Sequence, residues 1–231
     1  MLIGPQNLPL KLRAVRDRIA HSARSAGRDP AGITLIAVGK SHCAELLRSA
    51  ATAGVTDFGE NYLQEALGKM DRLADLPLHW HFIGRIQRNK TRAIAARFDW
   101  VHSVDGIDVA RRLSDQRSAH LAPIDICIQV ALAEEKTKGG LSPAALPAAA
   151  AAIAALPRLR LRGLMCVPPA AADRAAQRAP FEEMRRLLQE LNGRGFTLDA
   201  LSMGMSGDFE AAVAAGATHV RIGTALFGER Q

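Results

Sequence analysis

The chain has 231 residues, 48% of them hydrophobic and 23% charged, a balance suited to a globular protein with a sizeable core. Its formal charge is +7, yet the arginines are scattered over every predicted helix and only 4% of residues are aromatic, which argues against a nucleic-acid surface built from basic clusters and stacking rings. The longest apolar stretch, Ala144 to Leu156, contains Pro147 and is too short to cross a bilayer, and Met1 to Leu10 lacks the pattern of a signal peptide. Cys43, Cys127 and Cys166 are odd in number and far apart, with no C-x-x-C spacing, so a reduced cytoplasmic setting is expected, with neither nucleic acid nor membrane as partner.

In chain order, a helix near Leu8–Gly27 precedes a regular alternation of strands and helices. Apolar runs predict strands at Ile33–Gly39, Val55–Gly59, Trp80–Ile83, Trp100–Val104, Ile124–Ala131, Leu159–Val167, Leu198–Met203 and His219–Gly223. Helical periodicity falls between them at Ala44–Ala53, Tyr62–Leu73, Lys90–Phe98, Ile107–Ser118, Ser142–Leu156, Phe181–Asn192 and Asp208–Ala215. Breakers such as Gly54, Pro157, Gly193 and Gly216 mark the joints. Several strands are apolar nearly throughout, as a parallel strand buried on both faces requires. Eight such units predict an α/β fold, a (β/α)₈ TIM-type barrel with an extra N-terminal helix, as one domain over 1–231. An open doubly wound sheet is the alternative topology.

Chemistry in such a barrel gathers where strands end and loops begin. Lys40 stands at the end of the first strand, in a chain whose 30 basic residues comprise 24 arginines and 6 lysines. Arginine serves as well for solubility, but only lysine can act as an amine nucleophile, and partial desolvation at a strand end frees its lone pair. A solvated strand-end lysine is the plainer alternative. Strand seven ends in Ser202-Met203-Gly204-Met205-Ser206-Gly207-Asp208 and strand eight in Arg221-Ile222-Gly223-Thr224. Glycines that let backbone approach an anion, hydroxyls that donate, and helix-opening amides together suggest a phosphate cradle, at the place where barrels often bind phosphate. His79 and His81 alternate on a strand, but no third ligand has suitable spacing, so no metal is expected.

A phosphate site facing an isolated lysine suggests pyridoxal phosphate. The segments Ala37–Lys40, Phe58–Glu65, His81–Lys90, Leu201–Ser206 and Val220–Gly228 resemble the signature runs of the pyridoxal phosphate homeostasis proteins, small relatives of the alanine racemase N-terminal barrel. The resemblance implies that Lys40 carries the cofactor as an imine and that Asn61 lies beside it. It also implies that Ser202, Ser206, Gly223 and Thr224 hold the phosphate, with Arg221 facing the pyridine nitrogen. His81, Met203 and Gly207 complete the expected cofactor-binding set. The chain departs from the family pattern at Gly39, usually Ser; at Cys43, usually Pro; at Ala131, usually Asn; and at Gly207, often acidic. Lys136 and Lys138, in the loop after strand five, are read as solvated, a second capture site being the alternative.

The function expected is therefore to hold pyridoxal phosphate and to buffer or deliver it, with pyridoxal phosphate-dependent apo-enzymes as receiving partners and the protein itself a monomer. The alternative is a racemase or decarboxylase using the same cofactor, and a third class is a cofactor-free aldolase acting through Lys40. Two features weigh against catalysis. A permanent cation at Arg221 disfavours a protonated ring, and racemisation in the barrel relatives uses a tyrosine from a second domain, whereas this chain has the single tyrosine Tyr62 and no second domain is expected.

Overall fold

Short β-branched and apolar runs, each flanked by a turn and an amphipathic helix, give strands that must be covered on both sides. The structure, a computed structural model, describes residues 7–132, 139–169 and 173–228. Its strands are β1 (Thr34–Val38), β2 (Asp57–Glu60), β3 (His79–Phe82), β4 (Trp100–Val104), β5 (Ile124–Gln129), β6 (Leu159–Met165), β7 (Ala200–Met205) and β8 (His219–Ile222). All pair in parallel in chain order, and β8 closes on β1 with Leu35 opposite Val220 and Ile36 opposite Arg221. The expected (β/α)₈ barrel is what forms, and the open sheet is not.

Helices α1 (Leu8–Ser25), α2 (Ala44–Thr52), α3 (Leu63–Arg72), α4 (Thr91–Arg97), α5 (Ile107–Gln116), α6 (Leu146–Ala154), α7 (Arg174–Gly193) and α8 (Phe209–Ala215) surround the barrel, and a single turn, α9 (Thr224–Phe227), follows β8. Helix α1 presents Leu8, Leu12, Val15, Ile19 and Ala23, spaced three and four apart, as its buried stripe, and lies against α8 and α9. The core is the shell between strands and helices, with Phe58, Phe98, Phe181 and Phe209 fully buried in it. No helix among the described residues is long and apolar enough to cross a membrane.

Of the boundaries that differ from expectation, two have a clear local cause. The helix expected at Phe181–Asn192 begins earlier, at Arg174, with Pro180 inside it, behind Asp173, whose carboxylate caps the Ala176 amide at 2.8 Å. Strand β7 runs on to Met205 rather than ending at Met203, because Gly204 adopts φ +92°, a conformation open to glycine. A Cβ there would also lie 2.6 Å from the Ala212 side chain.

The end of β1 is fixed from outside the barrel by α3. Lys69 Nζ donates to the Gly39 carbonyl at 2.7 Å and to Glu60 Oε1 at 2.7 Å. One helical turn earlier, Glu65 Oε2 accepts from the Ser41 amide at 2.9 Å. The backbone is thus held on both sides of Lys40, and Ser41 is kept at φ +64°, the one non-glycine residue with positive φ among those described. Closure is tight: a Cβ on Gly39 would sit 2.6 Å from Glu60 Oε1 and 2.9 Å from Leu47 Cδ2, so a larger residue there would displace these side chains.

Glu60 is fully buried, and its second oxygen, Oε2, has no hydrogen-bond partner among the described residues. Burial raises its carboxyl to about 7, against the opposing hydrogen bond and charge of Lys69. An unfolded glutamate titrates near about 4.3, so between these values the folded state keeps a proton that the unfolded chain has released. Stability from this group therefore falls as pH rises through that window and is constant above it. Relative to Glu60→Gln, the wild type should lose on the order of 1–3 kcal/mol of unfolding free energy between about pH 5 and pH 7, measured by urea denaturation. A wild-type-to-variant difference independent of pH contradicts this titration.

Candidate functional site

Side chains alternate across a strand, so the residues that face the barrel interior recur every second position and climb toward its C-terminal mouth. On β1 the series Ile36 and Val38 leads to Lys40; on β2, Asp57 and Gly59 lead to Asn61; on β3, His79 and His81 lead to Ile83. The upper members meet in one cleft of about 330 Å³ at the C-terminal mouth. Lys40, Asn61, Ser206, Gly207, Arg221, Gly223 and Thr224 all line it, so the structure brings together seven of the ten residues expected at the site.

The other three lie elsewhere, for reasons of strand register. His81 faces inward but one level lower; the cleft position of its strand is Ile83. Its ring is fully buried, between Asp57 and His102. Ser202 is likewise inward and fully buried, beneath Arg221, so it supports the arginine instead of lining the cleft. Met203 is the next residue along β7 and points to the opposite side, into the shell packed by the helices. Lys136 and Lys138 lie outside the described residues.

The cradle side of the cleft is built from the β7 and β8 loops. Asp208 Oδ1 accepts from the Met205 amide at 2.6 Å, closing the turn that presents Ser206 and Gly207. The Ser206 hydroxyl accepts from the Ala225 amide at 3.2 Å, tying this turn to the start of α9. Nothing lies within 4 Å of where a Gly207 Cβ would be, so the cradle is open at that point. Two hydroxyls, exposed backbone and no carboxylate among the lining residues suit an anionic group.

Arg221 supplies a cation from below. Its guanidinium is buried, donating from Nη1 to Ser202 Oγ at 2.7 Å and from Nη2 to the Cys166 carbonyl at 2.9 Å. Burial lowers its pKa from the usual arginine value, but a guanidinium remains protonated in proteins. Ser202 also lies 2.7 Å from His102 Nδ1, and His102 Nε2 lies 2.9 Å from His81 Nδ1. Burial drives His102 well below the usual histidine range and His219, next to it, down to about 3, so both are neutral. The thiols of Cys127 and Cys166 are pushed by burial to about 12 and are inert, as their apolar strand setting suggests.

One further atom marks the cleft as a place for a ligand. Asn61 Oδ1 is buried without a hydrogen-bond partner among the described residues, an acceptor that a donor on a bound molecule would satisfy. The amine of Lys40, the cation of Arg221, this acceptor and the cradle hydroxyls are the polar groups gathered at the cleft. Sequence reasoning missed Asp57, His102 and Met205. The alternation Trp100–His102 on β4 was the available signal for an inward histidine.

Known proteins resemble this chain in sequence and in fold. The family model described as the alanine racemase N-terminal domain matches residues 10–231. A pyridoxal phosphate homeostasis protein of Pseudomonas aeruginosa is 58% identical over 216 residues, covering 94% of this chain and 93% of that protein. Its counterpart in Escherichia coli K12 is 46% identical over 222 residues, covering 95% of each. The solved structure of PipY from Synechococcus elongatus with pyridoxal phosphate bound superposes with a TM-score of 0.81 at 40% identity, over 91% of this chain and all of that one. The chain therefore belongs to the pyridoxal phosphate homeostasis protein family, whose fold is the alanine racemase N-terminal-domain barrel.

Proposed function

We propose that this protein binds pyridoxal 5′-phosphate in the C-terminal cleft, holds it through Lys40, and contributes to intracellular homeostasis of the cofactor by buffering and delivering it. The observation that carries the reading is the convergence of Lys40, the orphaned Asn61 Oδ1, buried Arg221 and the Ser206–Thr224 cradle on one cavity. When bound, the cofactor supplies an aldehyde that condenses with amines and an electron-withdrawing pyridine ring. Lys40 Nζ is the amine for that covalent link, with loss of water. Asn61 accepts a hydrogen bond beside it. Ser206, Gly223 and Thr224 hold the phosphate, with the Gly207 turn leaving room for it. Arg221 faces the ring nitrogen and keeps it unprotonated, since a fixed cation repels a proton there.

That last feature favours a holder over a racemase or decarboxylase, because an unprotonated ring is a weaker electron sink. The single tyrosine, Tyr62, is 54% exposed at the start of α3 and does not line the cleft, so it is not placed to return a proton to a substrate. On this reading the whole chain 1–231 acts as one cytoplasmic, monomeric binding unit, and pyridoxal phosphate-dependent apo-enzymes receive its cargo.

Two outcomes follow. Borohydride reduction of the protein mixed with pyridoxal phosphate should fix one pyridoxyl group on the peptide containing Lys40, and Lys40→Ala should abolish the label; labelling mainly at Lys136 or Lys138 contradicts the assignment. Removing both cradle hydroxyls (Ser206→Ala with Thr224→Val) should weaken pyridoxal phosphate binding by at least about tenfold, since each hydrogen bond to a charged group contributes roughly 1.5–3 kcal/mol. Pyridoxal, which lacks the phosphate, should bind nearly as before, and equal weakening of both ligands would place the cradle elsewhere.

A further inference from the structure

The barrel interior beneath the cleft is polar where packing alone would favour aliphatic side chains. Four successive contacts connect its two ends. Asp57 Oδ1 lies 3.0 Å from His81 Nε2, His81 Nδ1 lies 2.9 Å from His102 Nε2, His102 Nδ1 lies 2.7 Å from Ser202 Oγ, and Ser202 Oγ accepts from Arg221 Nη1 at 2.7 Å. His81, His102 and Ser202 are fully buried, and Asp57 lines a second cavity of about 460 Å³ at the opposite mouth, beneath α1.

Hydrogen-bond valence gives this chain a direction. Arginine only donates and an ionised carboxylate only accepts, so both ends are fixed. The carboxyl of Asp57 is pushed up by burial, but hydrogen bonds from His81 and from the Thr56 hydroxyl, at 2.6 Å, outweigh this and hold it below the usual range. His81 therefore donates from Nε2 to Asp57. With its single proton on Nε2, the His81 ring accepts at Nδ1 from His102 Nε2–H. His102 in turn accepts at Nδ1 from the Ser202 hydroxyl, whose oxygen accepts from Arg221. Every buried polar atom along the path is satisfied in this arrangement, and reversing the two central links would require a second proton on the His81 ring.

We propose that Asp57, His81 and His102 are positioning residues for the cofactor site: with Ser202 they form a one-directional hydrogen-bonded chain from a carboxylate at the N-terminal mouth to the guanidinium on the cleft floor, and this chain sets the orientation of Arg221. The proposal rests on the cleft being the pyridoxal phosphate site only for its effect on binding; the direction of the chain stands apart from it. A change at Asp57 is transmitted to Arg221 through three side chains and reaches the cofactor without Asp57 touching it.

The test has two arms. In the protein without cofactor, nitrogen-15 NMR of labelled histidines should show His81 and His102 neutral, each with its proton on Nε2. A proton on Nδ1 of either ring, or a charged ring, overturns the chain. The second arm measures pyridoxal phosphate affinity for Asp57→Asn, Ser202→Ala and the double variant. Asp57→Asn, which preserves shape but removes the anchoring charge, should weaken binding on the order of two- to tenfold, the range for members of one network. In the Ser202→Ala background, where the chain is cut, it should have no further effect. Equal weakening in both backgrounds, or none in the first, overturns the positioning role. If the wild type fails to bind the cofactor, the proposed function falls while the NMR arm still decides the chain.

Discussion

A permanent positive charge buried inside a barrel is the constraint on which the rest of this structure depends. Arg221 cannot shed its proton, so the interior must compensate it with polar partners rather than with packing. The protein does this with a serine hydroxyl and the Cys166 carbonyl, and the serine is itself supported by two neutral histidines and an aspartate. The result is a barrel whose interior is organised around one cation at the cleft floor. On the proposed reading, that cation favours electron-rich atoms in the cleft and, with the cofactor bound, restrains the chemistry of the ring.

The amine is treated differently. Lys40 stands at the mouth, and what is fixed is its backbone, by Lys69 and Glu65 on either side. Fixing the backbone on both sides sets the point from which the Lys40 side chain enters the cleft. The cradle completes a three-point arrangement, in which loops after β7 and β8 carry hydroxyls on turns tied to each other through Ser206 and Ala225. Rigid strands set the spacing among these three features, so the site is organised before a ligand arrives.

Much of this was legible in the sequence, and the misses share one physical origin. Lys40 showed itself by being a lysine among arginines at a strand end, and Ser206-Gly207 with Gly223-Thr224 by their turn chemistry. The alternation of strands and helices fixed the barrel because parallel strands buried on both faces have few other homes. What the linear pattern lacked was depth along the strand. His81 and Ser202 face the interior as expected, but each sits one pleat below the cleft, and Met203 sits one residue out of register with it. Whether an inward residue reaches the mouth depends on strand tilt and stagger, which emerge only when the barrel closes. Helix α7 begins seven residues before the expected Phe181, with Asp173 as its cap and Pro180 inside it.

The account makes this protein a holder of its cofactor and not a catalyst, and the decisive test is whether bound cofactor labilises the α-proton of an amino acid. Exchange into heavy water, followed by NMR with several amino acids and the cofactor-loaded wild type, measures this directly. The account predicts no exchange above that given by free pyridoxal phosphate. Fast, stereospecific exchange would contradict it and make the protein an enzyme.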